Sequence, residues 1–147
     1  MQKAKVTVYG HRVISKPAMR HEYGIIKNGK WEDKELSIQE IVDSHCIDKY
    51  PIAPATFNGK ICNDNWCSTQ LIMLDFDGGI TIEEVKSKFS EFNIDITFTY
   101  LTLSSTEKEK RFRIGLFLDK EIYNRELAIF IIKGLHKIFS SADQNCK

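Results

Sequence analysis

The chain has 147 residues, of which 42% are apolar and 11% aromatic, enough to build the core of one compact domain over residues 1–147. Its 21 Lys and Arg against 20 Asp and Glu give a net charge of +1, which excludes any global attraction to nucleic acid or anionic membrane, so such binding has to come from a local patch. No run approaches the ~18 apolar residues that cross a bilayer, and "MQKAKVTVYGHR" lacks the apolar core of a signal peptide, so a soluble, cytoplasmic protein with no membrane partner is expected.

"KVTVYG", residues 5–10, alternates as a strand does, and "EYGIIKNGKW" reads as a second strand running into an Asn28-Gly29 turn, together a small N-terminal sheet. From Ser37 the pattern changes: Ser37 and Glu40 stand in capping-box spacing and Ile38, Ile41 and Val42 share a face, so a helix starts there. "DKYPIAPATFNGK" and "ICNDNWCS" follow, an irregular connection of about 20 residues, a length that in small domains often serves function. Cys46, Cys62, Cys67 and Cys146 fall at irregular spacings with no CxxC, so reduced, partly buried thiols are expected, the alternative being a zinc site of His45, Cys46, Cys62 and Cys67.

"TQLIMLDFD" is an apolar run ending in acid, consistent with a central strand buried on both faces, its C-terminal end at a cleft. Thr81 and Glu84 repeat the capping-box spacing, and Ile82, Val85, Phe89 and Phe92 recur at helical intervals. "IDITFTYLTLS" reads as a strand, "STEKEK" as a charged turn and "RFRIGLFLD" as the hairpin partner. A last helix, "NRELAIFIIKGLHKIF", takes Asn124 as N-cap and is expected to bury Leu127, Phe130, Ile131, Leu135 and Ile138, with His136 at the edge of that face. The order βαββα lacks one strand of the split βαβ unit, which would begin after Lys147, so a chain cut before its final strand is expected.

Asp75 and Asp77 carry the chemistry. Residues i and i+2 of a strand point to one side, so both carboxylates can reach one cation while Phe76 points to the other face. Mg²⁺ takes oxygen ligands and fills its shell from one or two carboxylates, substrate phosphates and water. Gly78 and Gly79 let the chain turn and let a phosphate approach the backbone. The plainer alternative is a strand whose acids cap the next helix or meet a lysine. Arg111 and Arg113 alternate onto one face with Phe112 on the other, and guanidinium forks suit phosphate.

Two family resemblances bear on these residues. "LDFDGGIT" resembles the DxDG motif of haloacid-dehalogenase-like phosphatases, which implies Asp75 as nucleophile and Asp77 as acid and base; Gly79 in place of Thr or Val, and the mid-chain position, depart from it. More of the chain resembles the catalytic core of the archaeo-eukaryotic primase (primase-polymerase) superfamily, of the type carried by plasmids, phages and other mobile elements. "WCSTQLIMLDFDGGITIEEV", "YLTLSSTEKEKRFRIGLFLDKEI" and "IFSSADQNCK" carry the likeness, within residues 57–147.

That resemblance implies an α+β fold with a ferredoxin-like or RRM-like antiparallel catalytic sheet, helices on one face, and a small N-terminal αβ module. It implies that Asp75, Asp77 and Asp143 hold two divalent ions, Mg²⁺ or Mn²⁺, for template-dependent nucleotidyl transfer. Ser104, Ser105, Arg111, Arg113 and Lys60 are the implied phosphate or nucleotide contacts, with Ser105 standing where the family's second motif commonly has a histidine. Phe57 or Trp66 offers a ring for a base, and Asn63 and Asn65 a polar contact. The implied partners are nucleoside triphosphates, a single-stranded DNA template, and a helicase or accessory priming domain. A catalytically degenerate primase-like module that binds nucleic acid or nucleotide is the alternative to an enzyme.

Overall fold

Alternation sets the first strand, β1 (Lys3–Tyr9), where Ala4, Val6 and Val8 are buried and Lys3 and Lys5 exposed. A computed structural model describes residues 2–14, 26 and 29–139. The chain divides into two compact units, Met1–Leu71 with Leu118–Arg125, and Ile72–Phe117 with Glu126–Lys147. Each contains antiparallel strand pairs and helix, so the chain is α+β.

In the first unit β1 is the middle of a three-stranded sheet, pairing antiparallel along its whole length with β2 (Trp31–Ser37) and at Thr7 and Val8 with β3 (Ile52–Ala53). β2 begins at Trp31, the last residue of the stretch read as a strand running into an Asn28-Gly29 turn. "WEDKELS" carries almost no buried side chain, because it is an edge strand held by backbone pairing, and charges suit a sheet edge. Most of the expected strand over 22–31 and its Asn28-Gly29 turn lie outside the described residues, and Ile26 is helical.

Helix α1 (Ile38–Ile41) starts at the expected capping box: Ser37 Oγ accepts from Glu40 N at 3.2 Å and Ser37 N donates to Glu40 Oε2 at 2.7 Å. The helix continues over Val42–Ile47 as a wider π-helical turn. The stretch expected to be irregular contains β3 and a second short strand, β4 (Thr56–Phe57), whose Thr56 and Phe57 register with Ser68 and Trp66 of β5 (Trp66–Phe76). Cys46, Cys62 and Cys67 form no disulfide among the described residues.

A polar ladder ties this unit together. Ser68 Oγ donates to Glu121 Oε1 at 2.5 Å, Tyr123 OH donates to Oε2 at 2.7 Å, and Lys5 Nζ lies 3.8 Å from that oxygen. With the Ser68 proton committed to the carboxylate, Thr56 Oγ1 is the donor in its 2.8 Å bond to Ser68 Oγ. Thr56 and Ser68 are buried, so their bonds replace water that neither can reach.

The second unit contains the C-terminal half of β5, helix α2 (Ile82–Glu91), β6 (Phe98–Leu101), the N-terminal half of β7 (Phe112–Ile122) and helix α3 (Arg125–Lys137). β7 lies between β5 and β6, antiparallel to β6. The Thr81–Glu84 capping box forms, and α2 buries Val85 and Phe89. Phe92 is 54% exposed: the helix ends at Glu91 and Phe92 is its C-cap, ahead of a left-handed Asn93. β6 is shorter than the expected strand over 94–104, because residues 102–105 turn, with Ser105 N donating to Thr102 O at 3.0 Å.

The core here is a cluster of rings. Phe76 and Phe112 stack with centroids 5.0 Å apart, and Phe139 meets Phe76 and Phe89 edge-on at 5.3 and 5.2 Å. Phe139 sets the rotation of α3, and the expected buried face is corrected: Ala128 is buried, whereas Leu127 is 47% and Phe130 73% exposed.

The Ser68–Glu121 bond yields a pH prediction. Hydrogen bonds from Ser68 and then Tyr123, aided by the Lys5 charge and opposed by burial, hold the Glu121 carboxyl below its ordinary 4.5. A depressed acid stabilises the fold above its unfolded pKa, and that stability is lost as pH falls below about 4.5 through the folded value. Ser68→Ala is expected to cost about 2 kcal/mol at pH 7 and less near pH 3, read from urea midpoints at the two pH values.

Candidate functional site

Alternation along β5 and β7 carries the site. Phe76 and Phe112 go to the ring cluster, so Asp75 and Arg113, one residue away on each strand, go to the opposite side. There they meet: Arg113 Nε donates to Asp75 Oδ1, with the two side chains 31% and 38% exposed. Arg113 Nη1 donates to Tyr100 OH at 3.1 Å, and Tyr100 is the register partner of Arg113 across the β6–β7 hairpin. Burial works against the guanidinium's charge, and the bond to Asp75, with help from Tyr100, more than offsets it, so the Arg113 pKa is raised. The cation is fixed at any accessible pH.

The remaining expected residues are placed less uniformly. β5 ends at Phe76, so Asp77 is the first residue of the turn; it is exposed and makes no hydrogen bond or ion pair with another described residue. Gly78 and Gly79 take φ of 115° and 80°, backbone that favours glycine. What comes close to Gly78 is a side chain of the same unit: a Cβ built there would lie 1.9 Å from Glu109 Oε1. A cavity of about 600 Å³ adjoins this turn, lined among others by Gly79, Thr81, Glu84, Leu101, Lys108 and Lys110.

Ser105 is used by the hairpin itself, its Oγ accepting from Arg111 N at 3.1 Å. Ser104 is half-buried in the same turn. Arg111 precedes β7, and its carbonyl accepts from Thr102 N at 2.9 Å. Lys60 belongs to the first unit, in a loop where its carbonyl accepts from Asn65 Nδ2 at 2.9 Å. Asp143 lies outside the described residues. Among the described residues no three His, Cys, Asp or Glu side chains gather as a metal site, and no helix is long and apolar enough to cross a membrane.

Two contributors went unread in the sequence. Tyr100 enters through hairpin register, which no local pattern announces. His136 on α3 is half-buried; burial lowers its pKa from 6.5 while the Asp75 charge works in the opposite direction, so the imidazole is within electrostatic reach of the acid. Its position one turn before Phe139 was the available signal.

Two variants test this description. A histidine with a depressed folded pKa leaves the unfolded chain binding more protons, so stability falls as pH drops through the unfolded value near 6.5. The melting temperature of His136→Gln is expected to change less between pH 7 and pH 5 than that of the parent protein. Gly115, the register partner of Phe98, has the Phe98 ring 2.2 Å from where a Cβ would stand. Gly115→Ala is expected to lose about 1–3 kcal/mol in urea unfolding, because the buried ring has to move.

No family model matches the chain, and neither does any curated protein or any solved structure.

Proposed function

We propose that the second unit is the catalytic core of a primase-polymerase, carrying out template-dependent nucleotidyl transfer in the replication of a mobile element. The single observation that carries this reading is the Asp75–Arg113 pair, an acid and a fork-shaped cation partly open to solvent at the end of a strand, beside the Asp77-Gly78-Gly79 turn. The strand order β5-β7-β6, with α2 between β5 and β6 and α3 after β7, supports a ferredoxin-like or RRM-like sheet, since it supplies five of the six elements of the split βαβ unit.

The donor set suits a hard divalent cation. Asp75 and Asp77 would offer carboxylate oxygens to Mg²⁺ or Mn²⁺, and water and phosphate oxygens would fill the rest of the shell. Asp143 is the proposed third acid, for a second ion. Bound ions would supply Lewis acidity to the α-phosphate and acidify the attacking 3′-hydroxyl. The second unit's own part is to bind and orient: Arg113 and Arg111 hold triphosphate oxygens and Ser104 donates a hydroxyl; Lys60, in the first unit, is by itself a contact for the template backbone. The substrates are nucleoside triphosphates on single-stranded DNA, with a helicase or accessory priming domain as partner, in the cytoplasm.

Ser105 favours a second reading, a primase-like module that binds nucleotide or nucleic acid without turnover. It stands where the resemblance expects a histidine, and its oxygen already closes the hairpin. Incubation with labelled triphosphates, Mg²⁺ or Mn²⁺ and single-stranded DNA decides between them. The expected result is primer synthesis that falls by about 100-fold or more in Asp75→Ala and Asp77→Ala, as when a group stabilising transition-state charge is removed. A folded parent protein that binds DNA yet makes no product leaves the binding role. Turnover of p-nitrophenyl phosphate that disappears in Asp75→Asn would point instead to the phosphatase chemistry.

A further inference from the structure

A carboxylate oxygen that accepts from a guanidinium offers the same lone pairs that a divalent cation requires. Asp75 stands at that junction, because the guanidinium on it is held in place from two sides. Nε is bonded to Asp75 Oδ1 and Nη1 to Tyr100 OH, at 3.1 Å in the latter case. Tyr100 in turn is backed by Phe98, 9% exposed, whose ring stacks against it with centroids 6.3 Å apart. The hairpin register that sets Tyr100 opposite Arg113 keeps phenol and guanidinium side by side.

We propose that Arg113, positioned by Tyr100, is an internal cation that competes with the divalent ion for Asp75, and that ion binding transfers the guanidinium from Asp75 to the phosphates of the incoming nucleotide. The destination of the guanidinium rests on the nucleotidyl-transfer reading; the competition does not. Two positive charges on one carboxylate repel, and at a separation of a few ångströms in a partly exposed site this weakens cation binding by about tenfold. Once displaced, the planar fork faces the same side of the sheet and fits two phosphate oxygens. Nucleotide draws Arg113 off the acid and the ion keeps it off, so each ligand raises the affinity for the other.

The test uses the whole chain and reads binding directly. Free Mn²⁺ is titrated by electron paramagnetic resonance with the parent protein, Arg113→Gln and Asp75→Asn, while the Arg113 Nε–H resonance of the parent protein is followed by NMR as Mg²⁺ is added. Arg113→Gln is expected to bind Mn²⁺ about tenfold more tightly than the parent, and Asp75→Asn more weakly than either. The Nε–H resonance is expected to move from the position of a carboxylate-bonded guanidinium to that of a solvated one. Equal or weaker Mn²⁺ binding by a folded Arg113→Gln, absence of binding in both proteins, or a resonance that stays put at saturating Mg²⁺ overturns the proposal. Should Arg113→Gln fail to fold, the resonance of the parent protein decides alone. Tighter Mn²⁺ binding without primer synthesis by any variant would retire the nucleotidyl-transfer reading and keep the competition; primer synthesis with unchanged Mn²⁺ binding would do the reverse.

Discussion

An extended chain sends neighbouring side chains to opposite sides, and in the second unit that one constraint separates oil from charge. Along β5 it alternates Leu74, Asp75 and Phe76, and along β7 it alternates Phe112, Arg113 and Ile114. The phenyl rings of Phe76 and Phe112 fix the phase of both strands by stacking on each other, with Phe139 edge-on to Phe76 and Phe89 edge-on to Phe139. Once those rings are buried, Asp75 and Arg113 have only the other side to occupy. A slip of one residue in either strand would bury a charge and expose a ring, so the register that makes the core also makes the ion pair.

Much of this was legible because it is local. The two capping boxes, Ser37 with Glu40 and Thr81 with Glu84, are written within four residues each, and both form. β5 and the hairpin partner β7 announce themselves by composition, and the facing of Arg113 follows from period two. β2 was not legible, because "WEDKELS" is held by its backbone partner β1 and shows no buried face of its own. The rotation of α3 was not legible either: Leu127 to Ile132 is one unbroken apolar run, which fits several rotations, and only the distant Phe139 contact selects one.

The site shows the same division. That Asp75 and Arg113 would share a face could be derived; that they bond, and that Tyr100 takes the second nitrogen, depends on how β5, β7 and β6 line up. His136 reaches the neighbourhood of Asp75 from a helix some sixty residues later, a relation that sequence spacing does not encode. At Ser105 the sequence did not announce a local bond: its hydroxyl oxygen accepts from the backbone amide of Arg111 across the hairpin.

Glu109 leaning on Gly78 couples two loops that the chain makes separately, the turn after β5 and the hairpin between β6 and β7. The carboxylate stands where any larger residue would carry its first carbon, so the bare α-carbon of residue 78 acts as a gauge for the height of the hairpin tip. A change in the length of the tip would move Glu109 off this seat, so the geometry of one loop constrains the other. Lys108 and Lys110 flank Glu109 at the rim of the cavity beside the turn, so the same close approach that excludes a side chain at residue 78 also sets where these two cations stand.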